Sequence, residues 1–197
     1  MPIPLGVLAV AGAGAGPVAG GNAYELLETQ TLSGTQASVT FSNLISSYGS
    51  TYQHLQIRMV TRGNRSGAED SNIYIQFNSQ TGTYYNSHYL RGNGSATESV
   101  AFTSTNNTGI FLSQANTGAT QTANSFAASI VDILDPFETT KFTTVRTLAG
   151  MTGALNRIFL HSGAFRLTDA VDTITIDDTI GDFTQYSRFS LYGMRSS

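Results

Sequence analysis

The sequence predicts an all-β protein, an antiparallel two-sheet sandwich of jelly-roll type with roughly ten strands. Three observations carry that prediction. Short runs alternate apolar and polar residues with a period of two. Turn-forming Gly, Asn, Ser and Asp separate those runs at short intervals. Polarity comes from Ser, Thr, Asn, Gln and Gly, because only 12% of the 197 residues are charged and Lys141 is the single lysine. Soluble domains carry about 25% charge, and this mixture is poor helix material.

The runs follow one another from Tyr24 onward. ELLETQTL (25–32) is the first strand. ASVTF (37–41) follows a Ser-Gly turn, with Val39 and Phe41 on one face. HLQIRMV (54–60) sets Leu55, Ile57 and Met59 inward against Gln56 and Arg58 outward. NIYIQF (72–77) puts Ile73, Ile75 and Phe77 together, and a Tyr-rich strand covers 84–91. SVAF (99–102) and GIFL (109–112) are short. FAASIVDIL (126–134) is the most apolar run and is expected to be central. KFTTVRTL (141–148), NRIFLHSG (156–163), DTITI (172–176) and RFSLYG (188–193) complete the series. Residues 103–124 form the longest polar piece and read as an exposed loop excursion. A short helical turn fits at 44–48 or at 113–117.

The first charged residue is Glu25. Before it, MPIPLGVLAVAGAGAGPVAGGNAY is built of Gly, Ala, Pro and small aliphatics. A secretory leader needs a basic start, and no Lys or Arg precedes the apolar run. With Met1 in place, the segment is expected to be kept rather than cleaved. A membrane span needs about 20 well-packed apolar residues, and Pro2, Pro4, Pro17 and many Gly interrupt this one. The remaining reading is an extended docking arm over residues 1–23, followed by a sandwich domain over 24–197. Ile3, Leu5, Val7, Leu8 and Val10 are its candidate interface residues.

Reactive chemistry is thin. There is no Cys, hence no disulfide and no thiolate ligand or nucleophile. His54, His88 and His161 are widely separated and match no zinc spacing. Asp177, Asp178 and Asp182 crowd the segment TIDDTIGDF and are weak candidates for a hard cation such as Ca²⁺. A charged turn between strands explains them as well, so no metal and no cofactor is expected. No Gly-rich phosphate loop or nucleophile elbow occurs. RGNGS (91–95) reads as a tight turn, because Asn-Gly favours positive backbone dihedrals. A net charge of −3 without a basic stripe argues against nucleic acid as a partner. Tyr85 and Tyr89 share one strand face and are candidates for a receptor or partner surface. Packing in the core suits the same rings.

The block FNSQTGTYYNSHYLRGNGS (77–95) resembles a recurrent pattern in small virion-associated proteins of tailed bacteriophages. There, a strand ending in Phe-Asn is followed by a Thr-Gly turn, a Tyr-rich strand and Arg-Gly-Asn-Gly. The closing SRFSLYGM (187–194) is similar to the common ending of those proteins. YELLETQTLSGTQASVTFSNL (24–44) and LQIRMVTR (55–62) fit as well, so the resemblance covers most of residues 24–194. It implies a non-enzymatic β-sandwich displayed on a phage particle, and it carries no catalytic residue.

The expected function is therefore that of a virion structural protein, a capsid decoration or cement subunit assembled in the host cytoplasm. Its partners would be other capsid or tail subunits and further copies of itself, with a trimer as one option. The alternative is a tail fibre or adhesin module that meets a host surface glycan through Tyr85, Tyr89 and the loop at 103–124. A glycan-hydrolysing jelly roll is remote, because it needs two placed carboxylates and none of the thirteen acids sits in a motif.

Overall fold

A strand that alternates apolar and polar residues can bury only one face, so each run identified above needs a second layer. The computed structural model describes residues 23–102 and 108–195, and it supplies that layer as a second sheet. Twelve antiparallel strands and one short helix are formed among the described residues. They are β1 (Tyr24–Thr31), β2 (Ser38–Phe41), α1 (Leu44–Tyr48), β3 (His54–Thr61), β4 (Asp70–Phe77) and β5 (Tyr85–Gly92). Then come β6 (Thr97–Phe102), β7 (Ile110–Thr117), β8 (Ala127–Leu134), β9 (Thr143–Met151), β10 (Arg157–Phe165), β11 (Ile174–Asp178) and β12 (Arg188–Met194).

Eight strands make the larger sheet in the order β1-β12-β3-β8-β9-β10-β5-β6, and four make the smaller in the order β2-β11-β4-β7. The two-sheet sandwich is as expected, with twelve strands in place of roughly ten. Each run picked out from the sequence overlaps one of them. The helical turn falls at Leu44–Tyr48. The Asn-Gly turn joins β5 to β6, with Gly94 at φ 88° and the Asn93 side-chain oxygen accepting from the amides of Ser95 (3.0 Å) and Ala96 (2.8 Å). Among the described residues no helix is long and apolar enough to cross a membrane. Of the arm expected over 1–23, residues 1–22, with Ile3, Leu5, Val7, Leu8 and Val10, lie outside the described residues.

Between the sheets lies the main core. The larger sheet contributes Leu55, Ile57, Met59, Val131, Ile133, Val145, Phe165, Phe189 and Leu191. The smaller answers with Val39, Phe41, Ile73, Ile75, Phe77, Ile110, Leu112, Ile174 and Ile176. A second cluster of Ala115, Ala127, Ala149, Met151 and Phe159 continues it under β7. Close approach of the sheets depends on Gly163 of β10. A Cβ there would sit 2.4 Å from Cγ2 of Ile110 on β7 and 2.8 Å from the Asn86 carbonyl.

The polar stretch at 103–124 corrects the sequence reading. Residues 110–112 are strand, as the run GIFL predicts, but 113–117 is neither an exposed loop nor a helical turn. Together they form β7, which is buried along almost all its length and packs across β10, β9, β8 and β5. Residues 103–107 lie outside the described residues. Burial of such a polar string is tolerable because most of its larger polar atoms find partners, Ser113 Oγ and Asn116 Oδ1 being the exceptions among the described residues. Asn116 donates to the Asp178 carboxylate (2.7 Å) and Thr117 Oγ1 to the Ser125 carbonyl (3.1 Å). Gln114 Oε1 accepts from Arg157 (3.0 Å) and from Arg91.

Asp178 ties three strands of the smaller sheet together. Its carboxylate accepts from Ser71 Oγ of β4, Asn116 Nδ2 of β7 and the amide of Ile180. Truncation to Ala strands the buried donors of Ser71 and Asn116, each at about 1–3 kcal/mol. Asp178→Ala is therefore expected to lower the free energy of unfolding in urea by about 2–4 kcal/mol. A loss below about 0.5 kcal/mol would show that the three strands do not depend on this carboxylate.

Candidate assembly surface

The inner face of the larger sheet is covered, and the middle of its outer face is exposed among the described residues. Pairing registers fix which side chains stand together there. One row crosses the sheet as Ile130, Leu148, Leu160 and Leu90, each opposite the next on adjoining strands. The row two residues further along the strands reads Val60, Ala128, Gly150, Ile158 and Gly92. On the other side runs a polar row, Gln56, Asp132, Arg146, Ser162 and His88.

Val60, Ile130, Leu148, Leu160, Leu90 and Ile158 are 39% to 60% exposed. At about 200 Å² for a fully open aliphatic residue, these six present on the order of 600 Å² of contiguous apolar surface, at the upper end for a monomer's largest patch. Its border is well ordered. Arg58 ends the central row on β3, where its guanidinium lies over the ring of Tyr192 at 4.6 Å and its Nε donates to Gln56 (2.8 Å). Asp132 accepts from Gln56 (2.8 Å) and from Arg146 (2.7 Å). A shallow hollow of about 320 Å³ lies among Ile130, Asp132, Arg146, Leu148 and Leu160.

The residues singled out in the sequence fare differently. Tyr85 and Tyr89 do share a strand face, but it is the inner one, so neither offers a receptor surface. Tyr85 is fully buried, stacks on Phe165 at 5.2 Å, accepts from the Phe77 amide (3.1 Å) and donates to the Gln80 carbonyl (3.0 Å). Tyr89 is 6% exposed within an aromatic cluster of Phe102, Phe111, Phe159 and His161. Alternation had left open which face was inward, and apolar Leu90 lies outward in their place.

The acidic segment does not gather into one site. Asp178 turns inward. Asp182 accepts from Asn64 Nδ2 (3.0 Å) at the surface, and half-buried Asp177 points to the opposite side of β11 from Asp178, beside Tyr74. Among the described residues no three His, Cys, Asp or Glu side chains come together as a metal site. The histidines are also dispersed. His54 lies 3.2 Å from Asp135, His88 is exposed on the outer face, and His161 is buried. Comparison with family models, curated proteins and solved structures finds no match to the chain.

The outer rows were missed in the sequence, although a signal existed. A run that is apolar at both parities reads as a strand buried on both faces, and IVDIL, RIFL and HYL all break simple alternation in this way.

Two buried groups give opposite pH dependences. Burial, reinforced by the charge of Asp178, pushes the Asp177 carboxyl up to about 6, and its Oδ1 has no hydrogen-bond partner. The folded state thus holds this proton more tightly than the unfolded chain. The stability is present in acid and is lost as pH rises through 6. Asp177→Asn is expected to stabilise the protein by about 1 kcal/mol at pH 7.5, a two-unit shift discounted for partial exposure, and to do nothing at pH 4. For His161, burial holds the pKa down to about 3. The unfolded chain takes up that proton first, so stability is full above about 6.5 and declines as pH falls toward 3. His161→Leu should flatten that decline in urea melts at pH 7, 5 and 4. An unchanged slope would mean that His161 is not the acid-sensitive group.

Proposed function

We propose that the chain is a non-enzymatic structural protein of a bacteriophage particle, a β-sandwich that decorates and reinforces the shell. The observation that carries this reading is the apolar double row on the outer face of the larger sheet. A monomer gains nothing from holding six aliphatic side chains in water, whereas a subunit that meets neighbours does. The resemblance in residues 24–194 to virion-associated proteins supports the particle context. So does the low charge, because a Thr/Ser/Asn surface is desolvated at less cost than one rich in Lys and Glu.

In this reading residues 1–22 are the anchor. At about 25 cal/mol per Å², several hundred Å² of apolar contact by Ile3, Leu5, Val7, Leu8 and Val10 offsets several kcal/mol of ordering cost. Many symmetric copies add avidity. A tail adhesin that stacks glycan on Tyr85 and Tyr89 is less favoured, because both rings are enclosed in the core.

Removal of residues 1–22 is expected to leave a folded sandwich with an unchanged far-ultraviolet spectrum, and to cut its incorporation into particles at least tenfold by quantitative mass spectrometry. Normal incorporation would remove the anchor from the proposal. The same measurement on intact particles gives copy number. Capsid decoration requires copies across the whole shell, and a mere handful per particle would move the protein to the tail.

A further inference from the structure

The reading as an assembly subunit leaves open what covers the apolar rows. We infer that the occupant is a second copy of this chain, packed outer face to outer face about a two-fold axis. This inference rests on the assembly reading but names a surface and a partner which that reading does not.

An isologous interface requires self-complementarity. In the second apolar row the side-chain volumes run Ala128, Gly150, Ile158, Gly92 across adjoining strands. Ile158, at 60% the most exposed of the six aliphatics, is therefore a ridge with a side-chain-free notch on either side. The notches are not demanded by the fold of the monomer. Neither glycine has a positive φ, and a Cβ would meet only ordinary contacts, 3.5 Å from the Arg157 carbonyl at Gly150 and 3.4 Å from Ile158 Cγ2 at Gly92. A ridge between two notches fits a copy of itself.

Symmetry then selects the orientation. A two-fold axis across the strands, through the central row, would lay the polar row of one copy on the second apolar row of the other. An axis along the strands keeps like with like. Placed midway between β9 and β10, it sets Ile158 against Gly150 of the second copy, Leu148 against Leu160, and Ile130 against Leu90. Asp132 then faces His88 of the second copy, and Arg146 faces Ser162. Two sheets meet in this way at about 10 Å separation, as the layers of a sandwich do. The area is sufficient: about 600 Å² of aliphatic surface plus the polar row reaches roughly 800 Å² per partner, the size of a standard specific interface.

The test uses the full chain in sedimentation-velocity and equilibrium runs from about 1 to 200 μM, spanning the affinities that interfaces of this size show. Twice the monomer mass is expected in the upper part of that range. Leu148→Lys, at the centre of the row, should weaken association at least tenfold, with the melting temperature of the monomer unchanged. Gly150→Val fills the notch without touching the core and should weaken it by about tenfold, while Gly150→Ala falls between. Monomers at every concentration would overturn the inference, as would dimers indifferent to both Leu148→Lys and Gly150→Val. A monomer that still enters particles, and loses incorporation with Leu148→Lys, would assign the face to another virion protein. That outcome also overturns the inference while leaving the virion proposal standing. Dimers that never enter particles would do the reverse.

Discussion

Each strand of a sheet has two faces, and a four-stranded sheet cannot cover an eight-stranded one on both. That mismatch governs the molecule. On the inner side it is made good by β7, which reaches across β10, β9, β8 and β5 and carries a second apolar cluster beyond the main core. Gly163 is the point at which this strand comes close enough to do so. On the outer side nothing in the described residues makes it good. The strands in the middle of the sheet are therefore apolar at both parities, as strands buried on two sides are, while only one of their sides is buried within the chain.

Much of this was legible in the sequence, and the failures have one cause. Period-two alternation put Val39 with Phe41, and Ile73 and Ile75 with Phe77, on one face each, and set Leu55, Ile57 and Met59 inward, because their neighbours are mostly polar. In YYNSHYL and RIFLHS the neighbours are not all polar, so parity groups residues without saying which group faces in. Tyr85 and Tyr89 were placed together correctly and their face left undecided. β7 failed for the converse reason. Ser113 to Thr117 are small and polar, and only a three-dimensional arrangement of Arg157, Arg91, Asp178 and Ser125 reveals how they can be buried. The acidic segment at 177–182 looked like a cluster because its residues are adjacent in sequence. A strand sends adjacent side chains to opposite faces, which separates Asp177 from Asp178.

The scarcity of charge acquires a structural meaning here. Several of the nine arginines are used internally rather than to keep the protein in solution. Arg62 donates to three loop carbonyls, those of Gln121 (3.3 Å), Thr122 (3.0 Å) and Ser125 (2.8 Å), and so pins the connection between β7 and β8. Arg157 joins β10 to Asp70 of β4 and to Gln114 of β7. The exposed remainder is rich in Thr, Ser and Asn, and several of its charges are paired, as in Arg146–Asp132, Lys141–Asp135 and Arg195–Glu25. Such a surface carries little unpaired charge, so its desolvation costs less than that of a surface rich in Lys and Glu.

The pairing of β1 with β12 has a consequence for timing. Thr29 of β1 bonds to Ser190 of β12 across 161 residues, and β1 has no other partner in the sheet. During synthesis, the strand that follows the apolar segment has nowhere to dock until the far end of the domain leaves the ribosome. The sheet order thus ties the two ends of the domain together: a chain broken off before β12 leaves β1 without its partner among the described strands.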